Sequence, residues 1–197
     1  RGNIQNFENS DISLYLGSNF HFVIYPINQN NEFNFISIVR KKLVGSEITN
    51  RSLFKDKIFI NNLMSQISSK SDLNLSELVN EIKCFPIFVS KKIKIPSNKN
   101  IFLMGDAFFS FPPSFAQGAS QSIESANDLF NDLNNNLSNY YKKRVLKTKQ
   151  INYRSSINHH AFHIANPINV FFRNIFLKYL SKNKSFLENY LGKIYKN

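Results

Sequence analysis

One short segment, residues 105 to 120, combines the residue types that most clearly predict a ligand site. The apolar run IFLM, which predicts a buried strand, ends at Gly105, and the carboxylate of Asp106 follows at once. Two prolines stiffen the loop after it. The residues QGAS, 117 to 120, then begin a predicted helix whose first N–H groups and dipole favour negative charge. Asp106 alone would be expected only to cap a loop, but together these features predict a site for a flat, polar ligand.

Other common catalytic signatures are absent from the sequence. Its six glycines include no GxG pair, so it contains neither a Rossmann phosphate fingerprint nor a P-loop. It has no CxxC or HExxH spacing, and no metal site is predicted. His159 and His163 have the i, i+4 spacing that can share a metal. Because no carboxylate lies near them in the sequence, a packing role is expected instead.

The single cysteine, Cys84, excludes an intramolecular disulfide and is typical of a cytosolic chain. It lies in EIKCFPIFVS, a predicted strand, where we expect a buried apolar residue rather than a nucleophile. The first residues lack the basic-then-apolar form of a signal peptide. A cytoplasmic location is therefore expected.

The charge balance suggests an anionic partner. Lys and Arg number 25 against 13 Asp and Glu, a net charge of +12, which would suit a nucleic acid, a membrane surface or a phosphorylated ligand. The segment YYKKRVLKTKQINYR, 140 to 154, interleaves Tyr and Lys and could stack bases. Because the lysines are scattered and no nucleic-acid motif occurs, a solvated basic surface and no nucleic-acid partner are expected. No apolar run approaches the roughly twenty residues of a transmembrane segment, which leaves only peripheral membrane contact open.

The first half of the chain predicts a sheet. Residues 12–16, 20–27 and 33–41 are rich in aromatic and β-branched residues and are separated by short turns, which indicates an antiparallel meander. Residues 51–69 have apolar positions near helical spacing. A short helix is predicted at 74–80, and strand character returns in the segment KCFPIFVSKKIKIP, which ends at Pro96.

The second half predicts helices. From Ala116 onward the apolar spacing is helical to the end of the chain, and one helix runs without a breaker as far as Asn166 and Pro167. The Asn-Pro pair suits the start of the next helix. The composition changes from strand-rich to helix-rich near residue 100, so a mixed α/β chain with its organisational boundary at that point is expected.

The segment FLMGDAFFSFPPSFAQGASQSIESANDLFNDL resembles the second FAD motif of the flavin-dependent aromatic hydroxylases, the group that contains para-hydroxybenzoate, salicylate and ubiquinone-pathway hydroxylases. Two flanking regions continue the resemblance: GSNFHFVIYPINQNNEFNFISIV is similar to the family's sheet segment, and the later Tyr-x-x-x-Arg is similar to its long helix pair. The likeness covers nearly the whole chain and is greatest to the salicylate hydroxylase-like branch.

The resemblance implies the C-terminal part of a PHBH-type FAD-binding fold. Residues 1–96 would be a partial substrate-binding domain with an antiparallel meander and helices. Residues 97–197 would be the C-terminal part of the FAD-binding domain, with an FAD-contacting strand, loop and helix and a helical tail. The N-terminal Rossmann βαβ unit with its GxGxxG turn is missing.

The resemblance also implies cofactor-binding roles. Asp106, after Gly105, matches the aspartate that binds a ribityl hydroxyl of FAD, and Pro113 matches the proline at the flavin's edge. The helix start matches the backbone N–H groups that face the pyrimidine side of the isoalloxazine and stabilise the charge of reduced flavin. That helix start consists of Gln117, Gly118, Ala119 and Ser120.

By the same resemblance, the chain would belong to an NAD(P)H-dependent monooxygenase that hydroxylates an aromatic small molecule through a flavin C4a-hydroperoxide. The catalytic residues are not identified by the sequence. Tyr25 and His21, four residues apart on one strand, share a face that could line the substrate pocket, although core packing would also account for each.

The sequence departs from the family in ways that restrict this expectation. The family's Ala-His is Phe108-Phe109 here, and the helix Asp is Ser125. Without the GxGxxG half, we expect a fragment that binds FAD weakly or not at all by itself and depends on a separate N-terminal half. Whether the chain is an enzyme stays open. The alternatives are a non-catalytic remnant and a basic helical protein that binds nucleic acid or an anionic membrane.

Overall fold

The computed structural model describes residues 2–3, 11–27, 32–69, 82–98, 100–133, 137–190 and 192–194. The chain is mixed α/β, as the sequence predicts. It divides into two compact units. The first comprises residues 1–86 and 162–170, and the second comprises residues 87–161 and 171–197.

The first unit is built on an antiparallel sheet with the order β1-β4-β3-β2. The predicted meander is confirmed, and in β3 Phe20 pairs with Gly17 on one side and with Val39 on the other. Gly2 lies opposite Phe33, which adds a very short outer strand. The strands are β1 (Gly2–Asn3), β2 (Ser13–Gly17), β3 (Phe20–Pro26) and β4 (Glu32–Val39).

One face of β3 forms the core of the first unit. Phe20, Phe22 and Ile24 alternate onto this face and pack with Met64 and Ile67 of helix α1, Lys57–Ser68. A fully buried aromatic or aliphatic side chain stabilises a fold by about 1.5–3 kcal/mol. The helix is therefore held to the sheet by its apolar stripe.

The single helix predicted over residues 51–69 is interrupted at Asp56. A 3₁₀ helix, Arg51–Lys55, comes first. The Asp56 side chain then accepts hydrogen bonds from the N–H groups of Ile58 and Phe59, at 2.7 and 3.4 Å, and caps α1. The helix predicted at 74–80 lies outside the described residues.

The strands predicted between residues 83 and 104 are wrong. Neither residues 82–98 nor residues 101–104 contain a strand in the part of the chain that the structure describes. Phe85 and Phe88 are 73 and 76% exposed, and Ile101 and Met104 are also exposed, so the IFLM run is not a buried strand. An alternating apolar pattern indicates a strand only where another strand supplies hydrogen bonds. Among the described residues no strand does so here, although the Ser90 N–H donates to the Ser110 carbonyl at 2.9 Å.

From Gly105 onward the described residues are mainly helical, as predicted for the residues after Ala116. Helix α2 (Gly105–Phe108) and a 3₁₀ turn (Pro113–Phe115) come first. The longer helices are α3 (Gly118–Asp132), α4 (Leu137–Phe162), α5 (Pro167–Lys182) and α6 (Lys184–Tyr190), and a 3₁₀ helix, Gly192–Ile194, ends the described residues.

The predicted Asn-Pro helix start is confirmed. The Asn166 side-chain oxygen accepts from the N–H groups of Ile168 and Asn169, at 3.0 and 3.3 Å, and Pro167 is the first residue of α5. Helix α4 ends earlier than predicted, at Phe162, because His163 adopts a turn.

Candidate functional site

Gly105 joins residues 101–104 to the N-terminal half of α3. Its φ of +52° is a left-handed conformation that L side chains rarely adopt. Its N–H donates to Ser125 Oγ at 3.1 Å. A Cβ at Gly105 would collide with the side chain of Ser122, so both the backbone angle and the close approach require glycine.

Asp106 follows in the first turn of α2 and is exposed. A Cβ placed on Gly118 would lie 3.9 Å from Asp106 Oδ1, which puts the carboxylate beside the first residue of α3. Within the part of the chain that the structure describes, the carboxylate makes no hydrogen bond or ion pair, so its oxygens are accessible to a ligand. The fold therefore brings together the two features that the sequence separates by twelve residues. We call Asp106 and the α3 start, residues 117–120, the clasp.

The loop between the two halves of the clasp is tightly constrained. Pro113 begins the 3₁₀ turn, and Ala116 ends it at a φ of +50°. A non-glycine residue in this region costs on the order of 1 kcal/mol, and such strain is common at functional sites. Gln117 is the buried N-cap residue, whereas Ala119 and Ser120 are exposed. The first N–H groups of a helix have no intrahelical acceptor, so α3 presents donors at its exposed start.

Both places where the sequence departs from the FAD motif that it resembles have a structural role. Phe108 and Phe109 are buried, and the Phe108 ring lies 6.1 Å from that of Tyr141, so these residues pack inside the second unit. Ser125 is also buried, accepts from Gly105 and donates to the Ser122 carbonyl at 2.9 Å. A serine at this position therefore orients the Gly105 turn through an uncharged hydrogen bond.

Tyr140 supports the clasp from α4, and its role was not predicted. Its side chain is fully buried, and its hydroxyl donates to the carbonyl of Leu103 at 2.8 Å. Burial raises the pKa of Tyr140 to about 12, against the opposing effect of the Arg144 charge. The hydroxyl thus stays protonated and holds the residues just before Gly105 through the Leu103 carbonyl.

Arg144 supports the clasp from the same helix. Its buried guanidinium donates to Gln121 Oε1 at 2.8 Å and pairs with Asp128 at 3.2 Å and Glu124 at 3.4 Å. Lys147 also pairs with Glu124, at 3.2 Å. Carboxylates of α3 therefore neutralise part of the basic run 140–154, and the absence of a nucleic-acid partner stays a prediction. In the sequence, the Tyr-x-x-x-Arg spacing is the signal that could have identified Tyr140 and Arg144 as supports of the clasp.

A basic cavity of about 460 Å³ lies next to α2 in the second unit. It opens to solvent, and Leu103, Ala107 and Phe108 form its apolar side. The remainder of its lining is Ser90, Lys91, Lys92 and Lys94. Positive charge at a concave surface attracts anions, so any phosphate-bearing ligand would be drawn to this side of α2.

The two candidate substrate residues lie on the face of β3 opposite the core. His21 is 2% exposed, its Nδ1 lies 2.9 Å from His163 Nε2, and its ring meets the edge of Phe162. The Tyr25 hydroxyl accepts from the side-chain amide of Asn34. The pocket role of both residues stays a prediction.

His159 and Cys84 are the remaining candidate side chains that could act as a metal ligand or a nucleophile. His159 lies 3.2 Å from Ser114 Oγ, and among the described residues no group of three or more His, Cys, Asp or Glu could hold a metal. Partial burial raises the pKa of the Cys84 thiol, which disfavours the reactive thiolate.

A scan of protein-family models gives no match to this chain, and a search of curated proteins gives none either.

Proposed function

We propose that this chain supplies the flavin-facing half of an FAD site in an aromatic hydroxylase. The observation that carries the proposal is the clasp: Asp106 Oδ1 lies beside Gly118 at the start of α3. The resemblance of the surrounding sequence to the second FAD motif of the PHBH-type hydroxylases supports it. Glycine at 118 leaves the helix start open to a planar ring.

The residues present fit this cofactor. The Asp106 carboxylate can accept a hydrogen bond from a ribityl hydroxyl, and a charged acceptor makes such a bond stronger than a neutral one. The N–H groups and dipole of α3 favour the negative charge that a reduced flavin carries. When bound, the flavin supplies the oxygen-transfer chemistry, with NAD(P)H as the reductant. The residues of this chain would bind the ribityl group, orient the flavin ring and stabilise its negative charge.

The clasp is held rigid by its supports. Tyr140 fixes residues 101–104 from α4, Ser125 fixes Gly105, and Arg144 ties α3 to α4. Binding sites need such a supporting shell because small displacements weaken hydrogen bonds. The ADP half of FAD would be held by a βαβ unit outside these 197 residues, since they contain no GxGxxG turn.

Riboflavin provides the test, because it carries the ring and ribityl chain without phosphates that lysines could attract. We expect weak, saturable riboflavin binding by equilibrium dialysis. Asp106→Asn should weaken it about tenfold, as expected when a charged hydrogen bond is replaced by a neutral one that is about 1–1.5 kcal/mol weaker.

Glu188→Gln is the matched control, since it removes one exposed carboxylate from α6. It should leave the riboflavin affinity unchanged. Equal riboflavin affinity in the wild type and in Asp106→Asn, or an equal loss in both variants, would contradict the clasp.

A further inference from the structure

Helix α5 exposes a continuous aromatic face. Five of its side chains, all in the second unit, are between 53 and 67% exposed. These residues, the aromatic face, are Phe171, Phe172, Ile175, Phe176 and Tyr179. Together they expose on the order of 500 Å² of largely apolar surface, as large as the largest patch on a typical monomer. A surface of this kind indicates an interaction site.

The aromatic face is not what holds α5 in place. At about 100° per residue, its five side chains occupy an arc of about 140°. Leu177 and Leu180 lie outside this arc and are half-buried. The Arg173 guanidinium, also outside it, donates to the carbonyl of Ala161 at 3.4 Å. The helix thus packs through one side and leaves the aromatic face toward solvent.

The charges around the aromatic face indicate which kind of partner it would bind. Helix α5 contains no Asp or Glu, and its cations are Arg173, Lys178 and Lys182. Lys178 lies just beyond one edge of the arc, and Lys182 follows it at the C-terminal end, where long side chains can place their ammonium groups beside the apolar surface. A second copy of the face would bring like charges together, whereas an anionic surface would complement them.

We propose that the aromatic face of α5 binds the surface of an anionic lipid bilayer. An amphipathic helix with aromatic residues on one side and Lys or Arg beside them lies in the plane of the membrane interface. Tyr179 suits that depth, because its ring is apolar and its hydroxyl stays hydrated. None of the described helices is long and apolar enough to cross a bilayer. The helix therefore lies on the membrane rather than through it.

Vesicle co-sedimentation of the full chain tests this. The probes are vesicles of phosphatidylcholine alone and of equimolar phosphatidylcholine and phosphatidylglycerol. The wild type should sediment with the anionic vesicles, less so with neutral ones, and less as salt is added. Phe172→Ser with Phe176→Ser should reduce anionic binding about tenfold or more. Phe130→Ser is the matched control, since Phe130 is 74% exposed on α3.

The reversal Lys178→Glu with Lys182→Glu supplies a second test that leaves the aromatic face intact. It should remove the preference for anionic over neutral vesicles. Absence of wild-type sedimentation would overturn the proposal, as would equal loss in the Phe130 variant. It would also be overturned if the Phe172 and Phe176 substitutions only converted a dimer to a monomer, measured by light scattering, because the face would then join two copies of the chain.

Discussion

At the scale of single residues, the most informative side chain is Tyr140. Its hydroxyl reaches the carbonyl of Leu103, 37 positions earlier in the chain. Tyr141, the next residue, makes a similar bond to Ile101 at 3.2 Å but is more exposed. The pair allows a buried and a more exposed hydrogen bond of the same type to be compared.

Tyr140→Phe should lower the free energy of unfolding by about 1–2 kcal/mol, because it leaves a carbonyl without its buried donor. Tyr141→Phe should cost less than about 0.5 kcal/mol, since water replaces its bond. Urea denaturation of both variants measures this. An equal cost in the two variants would contradict the assigned role of Tyr140.

The raised pKa of Tyr140 also predicts a pH dependence. A folded pKa of about 12 against an ordinary value near 10 means that the unfolded chain loses the proton first. The stabilisation is fully present below about pH 10 and declines as the pH rises toward 12. The stability difference between the wild type and Tyr140→Phe should therefore shrink across that window. A difference that is constant or grows would show that the hydroxyl is not held protonated.

The clasp could be predicted at the residue scale because its signals are local. A carboxylate after an apolar run and small residues at a helix start are visible in a few neighbouring positions. The partners of Tyr140 and Arg144 lie on other elements, so only the folded chain identifies them. Gly105 illustrates the difference. The sequence shows that the residue is a glycine, but its left-handed φ and its contact with Ser122 depend on how α3 packs.

At the scale of elements, the packing of α3 against α4 depends on Arg144. Its guanidinium is almost fully buried, whereas Glu124 and Asp128 keep some exposure. Lys142, two positions earlier on α4, is exposed. Its substitution therefore makes a control for the loss of one positive charge from the same helix.

Arg144→Met should destabilise the protein by about 2–4 kcal/mol, because it removes one partner of a largely buried charge cluster. Lys142→Met should change stability by less than about 0.5 kcal/mol. Thermal unfolding followed by circular dichroism gives both values. A small effect of Arg144→Met would mean that apolar contacts alone hold the two helices together.

The elements that the sequence predicted well are those that satisfy their own backbone. Helices α3 to α5 need no partner for their hydrogen bonds, and the meander strands are joined by short turns. The segment around Phe85 and Phe88 has the amino-acid composition of a strand, but it has no partner strand among the described residues. Composition reports what a segment could form, whereas pairing depends on a neighbour elsewhere in the chain or on another chain.

At the scale of the whole molecule, the segment around Phe85 and Phe88 bears on the proposed need for a nucleotide-binding βαβ unit outside these 197 residues. Phe85 and Phe88 are exposed, and an exposed apolar segment of this kind can pair with a strand from such a unit. The PHBH-type fold implied by the resemblance, with its division at residues 96 and 97, stays a prediction. Its cofactor site can nevertheless be tested on this chain alone.

The most direct measurement is a titration of the ¹⁵N-labelled chain with FAD, followed by the chemical shifts of its backbone amides. ADP is the control, because it carries the same diphosphate without the flavin. Both ligands should shift amides near Lys91, Lys92 and Lys94. Only FAD should also shift Gly105, Asp106 and residues 117–120, and Asp106→Asn should move the midpoint of those extra shifts to about tenfold higher FAD concentration. Identical shifts with FAD and ADP, confined to the lysines, would contradict a flavin site at the clasp.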